Sequence, residues 1–135
     1  MTDFFDTNVF VYAFSNGPKQ DHARQMLADG GLISAQVLNE FTNVLRGKLR
    51  RSWAEVESAL ALVLGRFTEV VPLTAETHAV AVTLARDHGL SFYDALIVAA
   101  ALEGGCERLY SEDLQNGRHF GDLVVIDPFR ESDAP

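Results

Sequence analysis

The sequence predicts an α/β fold of three layers: a mainly parallel central sheet of about five short strands, flanked by helices. Three observations carry this expectation. Short apolar runs, rich in β-branched and aromatic residues, alternate with longer segments of helical period. Good capping residues (Ser34, Ser52, Thr74, Ser91) stand at the starts of those longer segments, and glycines stand at several of their ends. Strands separated by that much helix pair in parallel and are covered on both faces. Pairs of helices between strands make this a helix-rich version of the class. The order of the strands is not readable from the sequence.

Phe4-Phe5 is the first strand, ending in Asp6. A helix from Thr7 to Ser15 follows at once. It is apolar on most sides and therefore belongs in the interior. Asn16-Gly17-Pro18 stops it. His22, Ala23, Met26 and Leu27 mark an amphipathic helix closed by Gly30-Gly31. Leu32-Ile33-Ser34 is a very short second strand. Ser34 caps a third helix, with Val37, Leu38, Phe41, Val44 and Leu45 on one stripe. Ser52-Trp53-Ala54-Glu55 is a capping box, opening a fourth helix that carries Val56, Leu60, Val63, Leu64 and Phe67. Val70 to Leu73 reads as the third strand. Thr74 caps a helix reaching His88, and Gly89 closes it. Ser91 caps a helix to about Glu103 whose body, Ala95 to Leu102, is wholly apolar. Arg108 to Ser111 is the fourth strand, a polar turn from Glu112 to Gly117 follows, and Leu123 to Ile126 is the last strand. Residues 130–135 read as a frayed tail to a single domain spanning 1–135.

Composition narrows the functional classes. The chain has 135 residues with 47% hydrophobic content, which suits one domain with a sizeable core. It has no apolar run long enough to span a membrane and no signal peptide, so a cytoplasmic location is expected. The single cysteine, Cys106, suits a reducing compartment and reads as a small buried hydrophobe. The net charge is −8, so indiscriminate binding of nucleic acid is disfavoured. A nucleic-acid role then needs a local basic patch or cations that invert the sign of an acidic cleft. Arg46, Lys48, Arg50 and Arg51 form the one dense basic cluster. They are either guides for a nucleic-acid backbone or a solvated turn between helices.

The acidic residues fall in a pattern. Asp6 ends the first strand, and Asp113 lies just past the fourth. Asp94 sits in the first turn of the helix feeding that fourth strand, at the same edge of the sheet. Glu40 lies six residues beyond Ser34, about 9 Å along its helix at ~1.5 Å per residue. All four can converge on one edge. Each also has a structural reading alone: Asp6 as a helix cap, Asp94 as part of a capping pair with Ser91, Glu40 as a solvated helix face, Asp113 as a turn residue. Together they repel, and no Lys or Arg lies within three residues of Asp6, Glu40 or Asp94. A divalent cation is the natural compensation. Oxygen-only ligands point to Mg²⁺ or Mn²⁺ rather than zinc. Acids holding such an ion, with no nucleophile elbow or P-loop in the chain, suggest phosphoryl chemistry. Asp6 is expected to face the cleft, with Thr7 or Asn8 securing the helix start. His22, His78 and His88 read as helix-face residues, His119 as a loop residue and Glu112 as a solvated turn residue.

With these acids in place, the chain resembles the PIN-domain ribonucleases, and among them the VapC-like toxins of type II toxin–antitoxin systems. The carriers are Phe5-Asp6-Thr7-Asn8-Val9, Gln36-Val37-Leu38-Asn39-Glu40-Phe41, Ser91-Phe92-Tyr93-Asp94-Ala95-Leu96-Ile97 and Tyr110-Ser111-Glu112-Asp113-Leu114. Each is short, but four in this order and at these intervals make a specific signal. The resemblance implies a PIN-like fold and metal-dependent endoribonuclease activity, with Asp6, Glu40, Asp94 and Asp113 as the acidic set. It implies Asn8 and Ser111 as supporting residues, with Asn116 as a further polar candidate that accepts a metal-bound water. It also implies a homodimer and a VapB-like antitoxin. The alternatives are a catalytically silent PIN-fold module that binds RNA or protein, and a phosphatase or receiver-type domain. The last needs a lysine after a late strand, and none follows Ser111.

Overall fold

The computed structural model describes residues 2–130. In chain order the elements are β1 (Asp3–Phe5), α1 (Thr7–Ala13), α2 (Gln20–Leu27), β2 (Ile33–Ser34), α3 (Ala35–Arg46) and α4 (Trp53–Arg66). They continue with β3 (Val70–Val71), α5 (Ala75–His88), α6 (Phe92–Glu103), β4 (Arg108–Tyr110), β5 (His119–Phe120) and β6 (Leu123–Ile126). Arg130 apart, the expected frayed tail lies outside the described residues.

The α/β expectation holds. One ladder runs β1-β4-β6-β5, with β1, β4 and β6 parallel. A second, β2-β3, is also parallel. A Phe4–Leu32 bridge seats the chain entering β2 beside β1. Three short strand ends, of β2, β1 and β4, therefore lie side by side at the carboxyl edge. Phe4 and Phe5 point to opposite faces and both are buried, as are Leu109 and Tyr110, so the sheet centre is covered on both sides.

Burying aromatic surface supplies much of the driving force. Phe5 and Phe10 each meet the Phe67 ring edge-on, at 5.8 and 5.2 Å, and Phe5 stacks on Tyr110 at 5.2 Å. Phe41 lies between Phe10 and Phe14. α6 is buried from Ala95 through Ala101, as its unbroken apolar body predicts. On α4 the buried stripe is Val56, Ala59 and Val63, while Leu64 points outward at 42% exposure. The caps fall where the sequence places them: Ser34 accepts from Val37 N–H, and Ser52 and Glu55 form the reciprocal box. Gly89 closes α5 in the left-handed conformation, at φ 67°.

One strand escapes the sequence reading. His119, expected in a loop, begins β5, which pairs antiparallel with β6. The two-residue strand is too short to show alternation. Its signal is the Gly121-Asp122 turn, with Gly121 at φ 62°, a hairpin dipeptide between His119-Phe120 and Leu123-Val124. Among the described residues, no helix is long and apolar enough to cross a membrane.

Candidate active site

Asp6 closes β1 and begins α1. Its Oδ1 accepts from Thr7 N–H at 2.7 Å, making it the N-cap of α1. The expected division of labour, with Thr7 or Asn8 holding the helix start, is therefore corrected: Asp6 does so itself. The cause is its extended backbone at φ −74° and ψ 165°, which turns the carboxylate back over the first amide. Oδ2 accepts from the Ser111 hydroxyl at 2.7 Å. Ser111 follows β4, the strand paired with β1, so the register of two strands sets this contact.

The other acids arrive from neighbouring elements. Glu40, on α3 after β2, accepts from Thr7 Oγ1 at 2.7 Å and from the buried Gln36 amide at 3.3 Å. Asp113 accepts from Asn8 Nδ2 at 3.2 Å, and its own N–H donates to Ser111 Oγ at 3.2 Å. Asp94 sits in the first turn of α6, where its N–H donates to Ser91 Oγ. Asp6, Glu40, Asp94 and Asp113 line one cleft of about 440 Å³ together with Thr7, Asn8 and Lys48.

Electrostatics set Asp6 apart. Burial pushes its carboxyl up to about pKa 7, against the Ser111 and Thr7 hydrogen bonds that favour the anion; Glu40 and Asp113 add repulsion. Burial also raises Asp94, opposed by Ser91 and reinforced by Asp113. Among the described residues, no Lys or Arg forms an ion pair with any of the four acids. In this arrangement no three acidic, His or Cys side chains of the described residues are gathered into a ready coordination group. Glu40 is turned toward Thr7 and Gln36, and repulsion opposes closer approach of like charges. The donors facing the cleft are still oxygens, matching a hard divalent cation. His22 instead meets the Pro128 carbonyl, and the His78 and His88 rings rest on Phe92 and Phe120.

The family model for the PIN domain matches residues 4–118, a span that contains all four acids. The chain belongs to the PIN domain family. No curated protein matches it in sequence. Solved structures share its PIN fold at low identity. A toxin–antitoxin complex from Klebsiella pneumoniae is 20% identical over 96% of this chain and 100% of the other, with a TM-score of 0.73. VapC20 from Mycobacterium tuberculosis, described as a sarcin-ricin loop cleaving toxin, is 22% identical over 82% and 88%, with a TM-score of 0.68. VapBC2 from Rickettsia felis, bound to a DNA fragment from its promoter, is 20% identical over 93% and 97%, with a TM-score of 0.65.

The remaining sequence candidates of this PIN domain divide. Asn8 and Ser111 stand at the acids, where Asn8 Nδ2 also lies 3.5 Å from Ser111 Oγ. Asn116 does not join them: its amide oxygen accepts from Asp127 N–H at 2.9 Å, away from the cleft. The basic cluster disperses. Lys48 lines the cleft, while Arg46 stacks on Trp53 at 4.3 Å and donates to the Arg51 carbonyl. Arg51 reaches Glu55 and the Phe14 carbonyl, and Arg50 is exposed in a left-handed turn at φ 53°.

Four residues make contacts at the site that the sequence reading did not assign to them. Thr7 and Gln36 orient Glu40, and Gln36 could have been found from its four-residue spacing to Glu40. Tyr12 and Lys19 hold Glu112, which is half-buried rather than a solvated turn residue. Burial raises Glu112, but the Lys19 ammonium, 2.8 Å away, and the Tyr12 hydroxyl outweigh it and leave the carboxyl below its usual range. No local pattern announces a contact spanning 93 residues.

Proposed function

We propose that this chain is a metal-dependent endoribonuclease, the toxin of a type II toxin–antitoxin pair. The observation that carries this reading is the joint lining of one cleft by four carboxylates from four elements of a PIN domain, with no ion pair among the described residues to neutralise them. Asp6, Glu40, Asp94 and Asp113 would hold Mg²⁺ or Mn²⁺. When bound, such an ion lowers the pKa of a coordinated water and clamps non-bridging phosphate oxygens.

The chain's own groups supply the rest. Ser111 and Thr7 favour the anionic form of Asp6 and fix its two oxygens. Thr7 and Gln36 hold Glu40, and Asn8 holds Asp113. Lys48 offers a cation to the RNA backbone at the cleft mouth. A nuclease that acts on essential RNA requires restraint, which assigns a VapB-like antitoxin as partner. The VapBC complexes of similar fold support that assignment, and a homodimer is part of the same proposal.

The test is cleavage of total cellular RNA by the purified chain with Mg²⁺, Mn²⁺ or chelator. Cleavage is expected with either ion. Asp6→Asn and Asp94→Asn are expected to lower it by at least about 100-fold, the scale of losing a group that stabilises transition-state charge. Undiminished activity in both variants overturns the assignment. Sequencing the products identifies the RNA and the cut site.

A further inference from the structure

Beside the acidic cleft lies a second groove, of about 540 Å³, lined by Gln36, Asn39, Glu40, Asn43 and Tyr93. It shares Glu40 and Asn43 with the acidic cleft, so the two adjoin. We propose that this groove is a subsite for one unstacked nucleobase of a single-stranded RNA, next to the phosphate to be cut. The inference rests on the ribonuclease reading above and names the substrate feature that the site takes.

Four observations carry it. Tyr93 is 63% exposed although it is aromatic and directly precedes Asp94; its ring lines the groove, tilted against Phe92 at 6.2 Å, and so is accessible to a flat ligand. Asn39 and Asn43 lie one helical turn apart on α3, about 6 Å along the axis, so their amides face the same groove. Among the described residues, no hydrogen bond engages either amide side chain, so each offers a donor and an acceptor. The lining contains no Lys or Arg and does contain the Glu40 carboxylate, so a phosphate is disfavoured there. A neutral planar group with donors and acceptors on its edge satisfies all four. Nucleobases in single-stranded RNA are read in this way, by stacking on an aromatic ring and by hydrogen bonds to their edges. Paired bases cannot present that face, so the groove selects loops and unpaired segments. Lys48 lines the acidic cleft and not the groove, so backbone attraction and base contact fall to different parts of the surface.

The test uses the full chain and a short oligoribonucleotide carrying 2-aminopurine, whose fluorescence falls when the base stacks. Binding is followed in Ca²⁺, and cleavage products are sequenced separately in Mg²⁺. The wild type is expected to quench the single-stranded probe and to leave the already low fluorescence of the same sequence in a duplex unchanged. Tyr93→Ala is expected to weaken binding by about tenfold and abolish quenching, whereas Tyr93→Phe retains both. Asn39→Ala is expected to flatten the base preference beside the cut. Equal quenching by wild type and Tyr93→Ala overturns the subsite, as does the absence of quenching by the wild type. A Tyr93→Ala chain that changes oligomeric state with quenching intact overturns it in favour of a contact between copies. Quenching that depends on Tyr93, without any cleavage, sinks the nuclease reading and leaves the base site standing. Cleavage with no dependence on Tyr93 does the reverse.

Discussion

Asp6 serves two demands with one carboxylate. One oxygen caps α1 and the other takes the Ser111 hydroxyl, yet burial holds the group protonated to about pH 7. In the unfolded chain it ionises near 3.8. The folded state thus keeps a proton that the unfolded state has lost between those values. The stabilisation is complete below about pH 4 and is lost as pH rises to about 7. Its size is on the order of a few kcal/mol, taking ~1.4 kcal/mol per pKa unit. Urea unfolding of the chelated protein checks this against Asp6→Asn, which cannot titrate. The wild type is expected to lose stability relative to the variant from pH 4 to 7; parallel pH curves would refute the burial argument. Metal needs the anion, so stabilisation by Mg²⁺ is expected to grow over the same range.

At the scale of elements, the site is a meeting of strand ends gripped by one short helix. Asn8 and Tyr12 are a turn apart on α1, and both hold the segment after β4. Asn8 takes Glu112 N–H on its carbonyl and gives its amide to Asp113, while the Tyr12 hydroxyl donates to the Glu112 carboxylate. The approach of β2 to β1 depends on Gly31. Its φ is 151°, and a Cβ there would lie 2.8 Å from both the Asp3 carbonyl oxygen and the Phe5 ring. Gly31→Ala is expected to destabilise the fold by roughly 1–3 kcal/mol, from overpacking and a strained backbone. Thermal unfolding measures it, and an unchanged midpoint would show that the two strands can part without cost. The caps of α3 to α6 were legible in the sequence, because a cap is a contact within three residues. β5 was not, because two residues carry no period and only pairing with β6 makes them a strand.

Across the whole molecule, the acidic charge and the cleft argue together for a basic partner. If the proposed antitoxin presents a basic segment, a net charge of −8 would steer their encounter by attraction. The association rate of the reconstituted pair is expected to fall by about tenfold or more between low and high salt, with a smaller change in dissociation. Stopped-flow measurement decides it, and a rate that ignores salt would exclude this steering. The dispersal of the basic cluster belongs to this scale as well. Arg46, Arg50 and Arg51 sit close in sequence to Lys48, but they are turned to Trp53, to solvent and to Glu55. Proximity along the chain did not become a shared surface.

The α/β class, the helix starts and the positions of Asp6, Glu40, Asp94 and Asp113 at one sheet edge were readable from the chain alone. Each follows from local spacing: apolar period, cap and strand end. The strand order, the pairing of Ser111 with Asp6, the departure of Asn116 and the anchoring of Glu112 were decided by tertiary structure. These depend on contacts between residues up to 105 apart, and no local pattern encodes which distant element lies alongside. Asp6 shows the division within one side chain. Its place at the end of a strand was legible in Phe4-Phe5-Asp6, but its protonation to about pH 7 exists only once β4 and α3 enclose it.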